Sequence, residues 1–312
     1  MPDPVATRLA SFPLVLGGNV FGWTADAHAA GHILDGFQAA GGLMVDTADG
    51  YSSWVPGNEG GESERIIGDW MNESDTREEM LIATKVSSHP AHRGLAPNTI
   101  RAAIADSLER LQIDTIDLYY AHYDDESVPL TETARTFHAL IDEGLIGEIG
   151  VSNYTASRIA EWLSIADSQG YARPTVVQPH YNLLHRTPVE ETILPLARAE
   201  GLAVLPYAAL ASGFLTGKYT KEKSGSGSPR SGAASRYAND TGWATLAVLG
   251  ELAGKHRVGV ATIAIAWLSA QPGVTAPIAS VSHPDQLKHL LAVPRTTLTD
   301  DEIAQLNEVT AA

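Results

Sequence analysis

Short apolar runs alternate along the chain with longer segments whose apolar residues recur every three or four positions. Runs of the first kind are typical of buried strands, and segments of the second kind are typical of amphipathic helices. Candidate strands lie near residues 14–20, 43–47, 80–85, 116–121, 147–152, 175–179, 203–207 and 275–280. Strands that alternate with helices build parallel sheets, and about eight of them can close a barrel without an exposed edge. The pattern predicts an α/β fold, a (β/α)8 TIM barrel.

The predicted helices carry apolar stripes that would pack on such a barrel. Residues 26–40 place a set of apolar side chains on one helical face, namely those of Ala30, Ile33, Leu34 and Phe37. A second helix is predicted from Asn98, with Ile104, Leu108 and Leu111 in its buried stripe. Side chains that accept hydrogen bonds from helix N-termini predict two more helix starts, at Thr131 and at Thr299 or Asp300.

The length of 312 residues is normal for one barrel of this class, so we expect a single domain over residues 1–312. Two loop insertions are predicted, at residues 52–64 and 221–242. The second is rich in Gly and Ser, which favours a disordered surface segment. The alternative interpretation is a flap over a cofactor, which would carry Arg230 or Arg236 to the cofactor phosphates.

Composition and charge argue against several classes of function. The sequence contains no cysteine, which excludes disulfides and cysteine-ligated metals. A net charge of −16 argues against nucleic acid and anionic membranes as partners. No run reaches the ~18–20 apolar residues of a transmembrane helix and the first residues lack a signal pattern, so a cytoplasmic protein is expected. No metal is expected, because the pairs His89/His92 and His180/His185 lack a further ligand nearby.

Several chemically reactive side chains follow the strand candidates. Asp46, Lys85 and His122 each lie at the carboxyl end of an apolar run, and Tyr51 follows its run by a few residues. In a (β/α)8 barrel, the carboxyl ends of the strands form the face where chemistry is done. An unperturbed Tyr has a pKa of ~10, and a neighbouring Lys cation favours the phenolate and lowers that pKa.

This set of residues fits the conversion of a carbonyl into an alcohol. Tyr51 would be the general acid, Lys85 the cation that tunes it and Asp46 the partner that orients Lys85. His122 would donate a hydrogen bond to the substrate oxygen. Each residue taken alone has an ordinary structural interpretation, such as a surface ring or a salt-bridge partner. Their joint placement at strand ends favours the catalytic interpretation.

From about Phe12 to its carboxyl end, the chain resembles the aldo-keto reductases, including bacterial ones. The segments that carry the resemblance are GLMVDTADGY (42–51) with GESE (61–64), SLERL (107–111) with DLYYAH (117–122), IGVSN (149–153) and VQPHYN (177–182). The resemblance implies a (β/α)8 barrel, a nicotinamide cofactor and a catalytic tetrad. That tetrad would consist of Asp46, Tyr51, Lys85 and His122.

The same resemblance assigns the contacts to the nicotinamide. Ser152, Asn153 and Gln178 would hold its carboxamide, and Tyr207 would stack on its ring. The alternative for the first three residues is ordinary hydrogen bonding inside a barrel. Residues 209–218 would wrap the pyrophosphate, and the contacts assigned to this part of the cofactor come from Leu210, Ser212, Lys218 and Arg236.

The last strand and the loop after it would bind the adenosine end of the cofactor. Ser280, Ser282 and Gln286 are the assigned contacts, and the family commonly has an Arg where this chain has Ser282. Neutral side chains bind the adenosine 2′-phosphate less strongly than Arg does. The departure at Ser282 argues against a strong preference for NADP(H) and leaves NAD(H) possible. NADP(H) is still the expected cofactor, because the family that the chain resembles tends to use it.

An aromatic-walled substrate cleft is predicted from Trp23, Trp54 and Tyr123, which lie in loops after strand candidates. Such walls suit an apolar or ring-bearing carbonyl, although a Trp in a loop often only packs that loop. The expected function is NAD(P)H-dependent reduction of a small-molecule aldehyde or ketone. The alternative is a cofactor-sensing regulatory subunit on the same barrel, since such subunits of the family can retain the tetrad.

Overall fold

The computed structural model of the protein describes residues 4–220 and 229–311. Its strands are β1 Val15–Gly17, β2 Met44–Asp46, β3 Leu81–Val86, β4 Ser88–His89, β5 His92–Arg93, β6 Ile116–Ala121, β7 Ile146–Ser152, β8 Val176–Gln178, β9 Ala203–Val204 and β10 Ile278–Ala279. All except β4 and β5 form one parallel sheet in the order β10-β1-β2-β3-β6-β7-β8-β9. The Ile278 backbone N–H donates to the Pro206 carbonyl over 2.8 Å, which joins the two end strands and closes the barrel. The predicted fold is confirmed, and the antiparallel β4–β5 hairpin is an addition to it.

The helices are α1 Val5–Leu9, α2 Ala27–Ala39, α3 Glu62–Ser74, α4 Pro97–Leu111, α5 Leu130–Asp142, α6 Ala156–Gln169, α7 Leu194–Glu200, α8 Ser231–Ala234, α9 Asp240–His256, α10 Val260–Ser269, α11 Leu287–Leu291 and α12 Asp300–Thr310. α2 buries its predicted apolar stripe, and Thr299 caps α12 in a reciprocal pair with Glu302. The predicted N-cap at Thr131 is wrong, because the N-cap of α5 is Pro129, two residues earlier, whose fixed φ suits a helix entrance. Within the described residues, no helix is long and apolar enough to cross a membrane.

The two predicted insertions are only partly loops. Residues 62–64 of the first form the opening turn of α3, where the Glu62 carboxylate accepts hydrogen bonds from the backbone N–H groups of Glu59 and Gly60. In the second, α8 is followed by a helical turn at Ser235–Tyr237 and α9 begins at Asp240. Residues 221–228 of that insertion lie outside the described residues.

A cluster of apolar side chains fills the barrel interior, because alternate residues of each strand point inward. It includes Val15, Met44, Leu81, Ala83, Leu118, Tyr120, Val176, Ala203, Leu205 and Ile278. Val5 and Leu9 of α1 join this cluster. Since Val15, Met44 and Leu81 begin their strands, α1 closes the amino-terminal end of the barrel. The carboxyl-terminal end is left for polar residues.

Candidate active site

The inward row of side chains ends in a polar group on several neighbouring strands. On β2, β3, β6 and β8, the inward position beyond the last apolar side chain is occupied by Asp46, Lys85, His122 and Gln178 respectively. Because parallel strands end at the same edge of a sheet, these side chains meet at the carboxyl mouth of the barrel. Residues two apart on a strand point to the same side, which is why these polar side chains continue the inward rows and meet in one site.

Lys85 joins the polar side chains at the mouth into one hydrogen-bonded group. Its Nζ donates to Asp46 Oδ2 over 2.6 Å, to the Thr47 carbonyl over 2.6 Å and to the Tyr51 hydroxyl over 3.1 Å. The Lys85 side chain is 0% exposed and that of Asp46 is 3% exposed, so water does not compete for these bonds. The His122 ring centre lies 6.0 Å from that of Tyr51. The structure therefore brings together all members of the predicted tetrad.

Burial and the Lys85 charge act in opposite directions on Tyr51. Burial raises the pKa of the Tyr51 hydroxyl, and this outweighs the lowering by the Lys85 cation. Burial also lowers the pKa of Lys85, but Asp46 and Tyr51 together outweigh that effect and raise it, so the ammonium stays charged. The expectation of a net lowering at Tyr51 is therefore corrected. Tyr51 holds its proton, as a general acid must before it reacts.

His122 is a neutral imidazole at neutral pH. Burial lowers its pKa well below the usual value, and the Lys85 charge lowers it further. Its Nδ1 lies 3.1 Å from the Ser88 hydroxyl, and its backbone carbonyl accepts a hydrogen bond from Asn153 Nδ2 over 2.9 Å. A neutral imidazole can donate from one nitrogen while it accepts at the other.

The residues assigned to the carboxamide lie directly beside the tetrad. Gln178 Nε2 donates to Asp46 Oδ1 over 2.8 Å, and the Ser152 hydroxyl donates to the Gln178 carbonyl over 3.1 Å. Asn153 adopts a left-handed φ of 59°, which turns its half-buried side chain toward His122. Their hydrogen bonds are with the protein in this structure, and their contacts to a cofactor stay a prediction.

The Tyr207 ring is held at both its edge and its face. Its hydroxyl donates to Asn153 Oδ1 over 2.7 Å, and its ring stacks on that of His180 with centres 5.3 Å apart. His180 in turn stacks on His185 at 4.2 Å. Burial lowers the pKa of His180 to about 4, and the neighbouring His185 adds to this lowering, so His180 is neutral. Tyr207 therefore has a rigid backing on one side.

The segment after Tyr207 is a series of tight turns. Left-handed φ values occur at Ala208 (57°), Ala211 (47°), Ser212 (58°) and Gly213 (91°). Such turns can direct successive backbone N–H groups into one concavity, an arrangement that binds anions. Lys218 follows this segment, with its Nζ 5.1 Å from the Tyr219 ring centre. Leu210 lies within the same turns and is half-buried.

The predicted adenosine contacts lie at the carboxyl end of β10. The Ser280 hydroxyl donates to Asn19 Oδ1 over 2.7 Å, and the Ser282 backbone N–H donates to Gln286 Oε1 over 3.1 Å. Asn19 follows β1, so the neighbouring strands β1 and β10 are tied together at the mouth. The structure brings Ser282 and Gln286 into contact, whereas Ser280, at the same strand end, bonds to Asn19 of the neighbouring strand end.

The arginines of the second insertion lie in different places. The Arg230 guanidinium lies 3.3 Å from Asn19 Oδ1 and 5.2 Å from the Trp23 ring centre. Arg236 instead donates to the Ala233 carbonyl over 3.3 Å and lines a cavity of about 310 Å³ beside α12. Among the described residues, no hydrogen bond or ion pair joins Arg236 to the other predicted cofactor residues. The helical turns of residues 231–237 separate the two arginines. The Arg236 charge still lies close enough to His180 to contribute to the lowering of its pKa.

The predicted substrate-pocket residues form an aromatic rim around Tyr51. Trp23 and Trp54 contact each other edge to face at 5.5 Å, and Trp54 lies 6.3 Å from the Tyr51 ring. Tyr123 stacks on His122 at 4.6 Å. Trp54 is 52% exposed and Tyr123 is 50% exposed, so both present ring surface at the mouth. Across residues 4–220 and 229–311, no group of side chains has the composition of a metal site.

Sequence reasoning missed Ser88, Asn19 and His180. A signal for two of them was present, because Asn19 continues the inward row of β1 and His180 continues that of β8 by steps of two residues. Ser88 lies on the hairpin strand β4, whose contact with His122 follows from no spacing along the chain.

The sequence is similar to those of known proteins with a common family. The sequence profile of the Aldo/keto reductase family matches residues 13–311. The chain is 30% identical to the aldo-keto reductase YhdN of Bacillus subtilis, over 97% of this chain and 90% of that protein. It is 38% identical to the human aflatoxin B1 aldehyde reductase member 4, over 67% of this chain and 60% of that protein. It is 31% identical to a probable voltage-gated potassium channel subunit beta of rice, over 86% and 82% of the two chains.

Proposed function

The chain belongs to the aldo/keto reductase family, and on that premise we propose that it transfers hydride from NADPH to an aldehyde or ketone. It is an oxidoreductase that acts on carbonyl groups. The observation that carries the proposal is the position of Lys85 Nζ, 2.6 Å from Asp46 Oδ2 and 3.1 Å from the Tyr51 hydroxyl. A cation in this place stabilises the phenolate that proton transfer leaves behind.

The residues around the mouth fit a nicotinamide dinucleotide. The face of the Tyr207 ring away from His180 suits stacking on a planar ring. The left-handed turns at Ala211 and Ser212, with Lys218 after them, suit the negative charge of a diphosphate. Ser152 and Asn153, beside the tetrad, offer hydrogen-bonding groups that suit an amide. A bound reduced nicotinamide supplies the hydride.

Side chains of this protein supply the proton and stabilise the charges that proton transfer creates. As the carbonyl oxygen becomes an alkoxide, it takes the hydroxyl proton of Tyr51, and the product is an alcohol. Lys85 stabilises the resulting phenolate, and Asp46 keeps Lys85 charged and in place. Neutral His122 donates a hydrogen bond to the same substrate oxygen, which stabilises its developing charge.

A modest preference for NADPH over NADH is part of the proposal. Ser280, Ser282 and Gln286 offer hydroxyl, amide and backbone donors near a 2′-phosphate, without a charge of their own. Charged donors bind phosphate about twice as strongly as neutral ones do. The preference should therefore be smaller than in relatives with an Arg at the position of Ser282.

The aromatic rim supports ring-bearing carbonyls as the substrate class. Trp54 beside Tyr51 and Tyr123 beside His122 are each about half exposed, which suits stacking against a flat substrate. The 38% identity to a protein named aflatoxin B1 aldehyde reductase agrees with an aldehyde as the substrate.

A regulatory subunit is the second candidate, because a potassium channel beta subunit is among the relatives. Steady-state oxidation of NADPH and of NADH across aromatic, aliphatic and sugar aldehydes and ketones separates the candidates. We expect turnover with NADPH and an aromatic aldehyde. Tight NADPH binding without turnover on any carbonyl would favour the regulatory role and reject the proposed one.

A further inference from the structure

Ser88 contacts the imidazole of His122 at one of its two ring nitrogens. Its hydroxyl oxygen lies 3.1 Å from His122 Nδ1. It belongs to the β4–β5 hairpin, which is not part of the barrel wall. This contact ties a residue outside the barrel to a member of the tetrad.

The backbone around Ser88 is held firmly. Ser87 adopts a φ of 119°, a strained value for a residue with a side chain. The Ser87 carbonyl accepts from the Gly94 N–H over 3.0 Å, and its hydroxyl accepts from the Tyr123 N–H over 3.2 Å. A Cβ on Gly50 would lie 2.8 Å from the Ser88 hydroxyl, so the chain that leads to Tyr51 also packs closely on Ser88. A strained backbone persists only where surrounding contacts hold it. These contacts therefore also fix the backbone position from which the Ser88 hydroxyl extends.

The direction of the hydrogen bond follows from the partners of each group. Within the described residues, the Ser88 hydroxyl has His122 Nδ1 as its hydrogen-bond partner and no second acceptor for its proton. If Nδ1 carried a hydrogen, the hydroxyl oxygen would accept it, and the hydroxyl proton would have no acceptor among the described residues. The bond is satisfied when Ser88 donates and Nδ1 accepts. In a neutral imidazole, the hydrogen then resides on Nε2.

We propose that Ser88 is a positioning residue that fixes His122 as the Nε2–H tautomer, so that its free nitrogen presents a donor to the carbonyl oxygen. The catalytic consequence rests on the proposed function, whereas the tautomer does not. Burial lowers the pKa of His122, and the Lys85 charge lowers it further, so the ring is neutral. Only a neutral ring has two tautomers, and the tautomer decides which nitrogen can donate. The other tautomer would present a lone pair to the substrate oxygen and repel it.

Nitrogen-15 NMR of the histidine side chains tests this directly. The chain has 11 histidines, and the His122 signals are identified by their loss in His122→Gln. In the wild-type protein, we expect Nδ1 to have the chemical shift of an unprotonated nitrogen and Nε2 that of a protonated one. A protonated Nδ1 in the wild-type ring would overturn the proposal without any need for a variant.

Variants of Ser88 test its role, and Ser87→Ala is the matched control, because the Ser87 hydroxyl binds Tyr123 instead of His122. Ser88→Ala should move the Nδ1 shift toward that of a tautomer mixture, Ser88→Thr should restore it, and Ser87→Ala should leave it in place. The kcat for carbonyl reduction should fall about 5- to 10-fold in Ser88→Ala, the equivalent of one neutral hydrogen bond, with an unchanged KM for NADPH. An unmoved Nδ1 shift in Ser88→Ala would reject the role of Ser88. If the His122 nitrogen shifts are as expected but the protein reduces no carbonyl, the tautomer assignment stands and only the proposed function is rejected.

Discussion

Gln178 donates its side-chain amide to Asp46 Oδ1 over 2.8 Å. The other oxygen of this carboxylate accepts from Lys85 Nζ. Asp46 therefore cannot rotate away from Lys85 without breaking hydrogen bonds at both oxygens, in a place where water cannot replace them. A residue of the predicted cofactor site thus orients the charge that faces Tyr51, which links cofactor binding to proton transfer.

Replacing Lys85 by Met should abolish most of the reductase activity, because the phenolate of Tyr51 loses its cation. The variant also leaves the Asp46 carboxylate buried without a partner, which costs about 3–5 kcal/mol of stability. The double variant Lys85→Met with Asp46→Asn removes that charge and should recover stability but not turnover. Urea unfolding and NADPH oxidation measured on both variants check this. Normal turnover in the double variant would contradict the role of Lys85.

Residual activity in Lys85→Met should also have a changed pH dependence. The Lys85 cation lowers the pKa of Tyr51 against the larger effect of burial, so its removal raises that pKa further. The basic limb of the pH–rate profile should therefore move to higher pH. A profile with the same basic limb as the parent would argue against electrostatic coupling of these two residues.

Tyr207→Ala should weaken nicotinamide binding by about 1–3 kcal/mol, by analogy with bases stacked on aromatic side chains. Tyr207→Phe keeps the ring and loses only the hydroxyl bond to Asn153, so it is the matched control. Fluorescence titration with NADPH measures both variants, and titration with 2′,5′-ADP probes the adenosine end alone. Equal NADPH affinity in the Ala and Phe variants would remove the case for stacking.

The positions of the tetrad could be predicted from the sequence because strands have a strict period of two. Once an apolar residue such as Ala83 is known to point inward, Lys85 must do so as well. The sign of the net pKa shift at Tyr51 could not be predicted, because it depends on how completely the assembled barrel removes water from the hydroxyl. That burial is a property of all the packed loops together.

The contacts that could not be predicted from the sequence depend on local chain geometry. Arg230 and Arg236 are close in sequence, yet the helical turns between them direct one to Asn19 and the other to a separate cavity. The Ser88 contact depends on the left-handed φ of Ser87, which no side-chain preference predicts. Contacts of this kind follow from the path of the loop, and that path is set by tertiary packing.

Ser282→Arg should raise the preference for NADPH over NADH. Ser282 is half-buried after the carboxyl end of β10, in the loop before α11, where an added guanidinium would bring a positive charge to the proposed phosphate site. The ratio of kcat/KM for the two cofactors, measured in the parent and the variant, checks this. A very large NADPH preference already present in the parent would indicate that another residue binds the phosphate, with Arg230 the first to test.

Glu302→Gln should destabilise the protein near pH 7 more than near pH 3. Burial raises the pKa of Glu302, but hydrogen bonds from Lys255, the Thr299 backbone and His256 outweigh burial and lower it to about 2, against an ordinary value of 4.5. A carboxyl with a depressed pKa stabilises the fold above its unfolded pKa and loses that contribution as the pH falls toward the folded pKa. Urea unfolding at both pH values measures the difference, and Glu308→Gln on the same helix is the control. An equal loss at both pH values would contradict the assignment.

The most direct test of the account is the turnover of Tyr51→Phe, which removes one oxygen atom from the centre of the site. Lys85 and Asp46 keep their own hydrogen bond in this variant, so NADPH affinity should be unchanged. Loss of the general acid should lower kcat for an aromatic aldehyde by about 10²–10⁴-fold. Tyr171→Phe, at a ring stacked on His138 outside the described site, should leave kcat unchanged and serves as the control. A Tyr51→Phe variant that oxidises NADPH at the parental rate would contradict proton transfer from Tyr51.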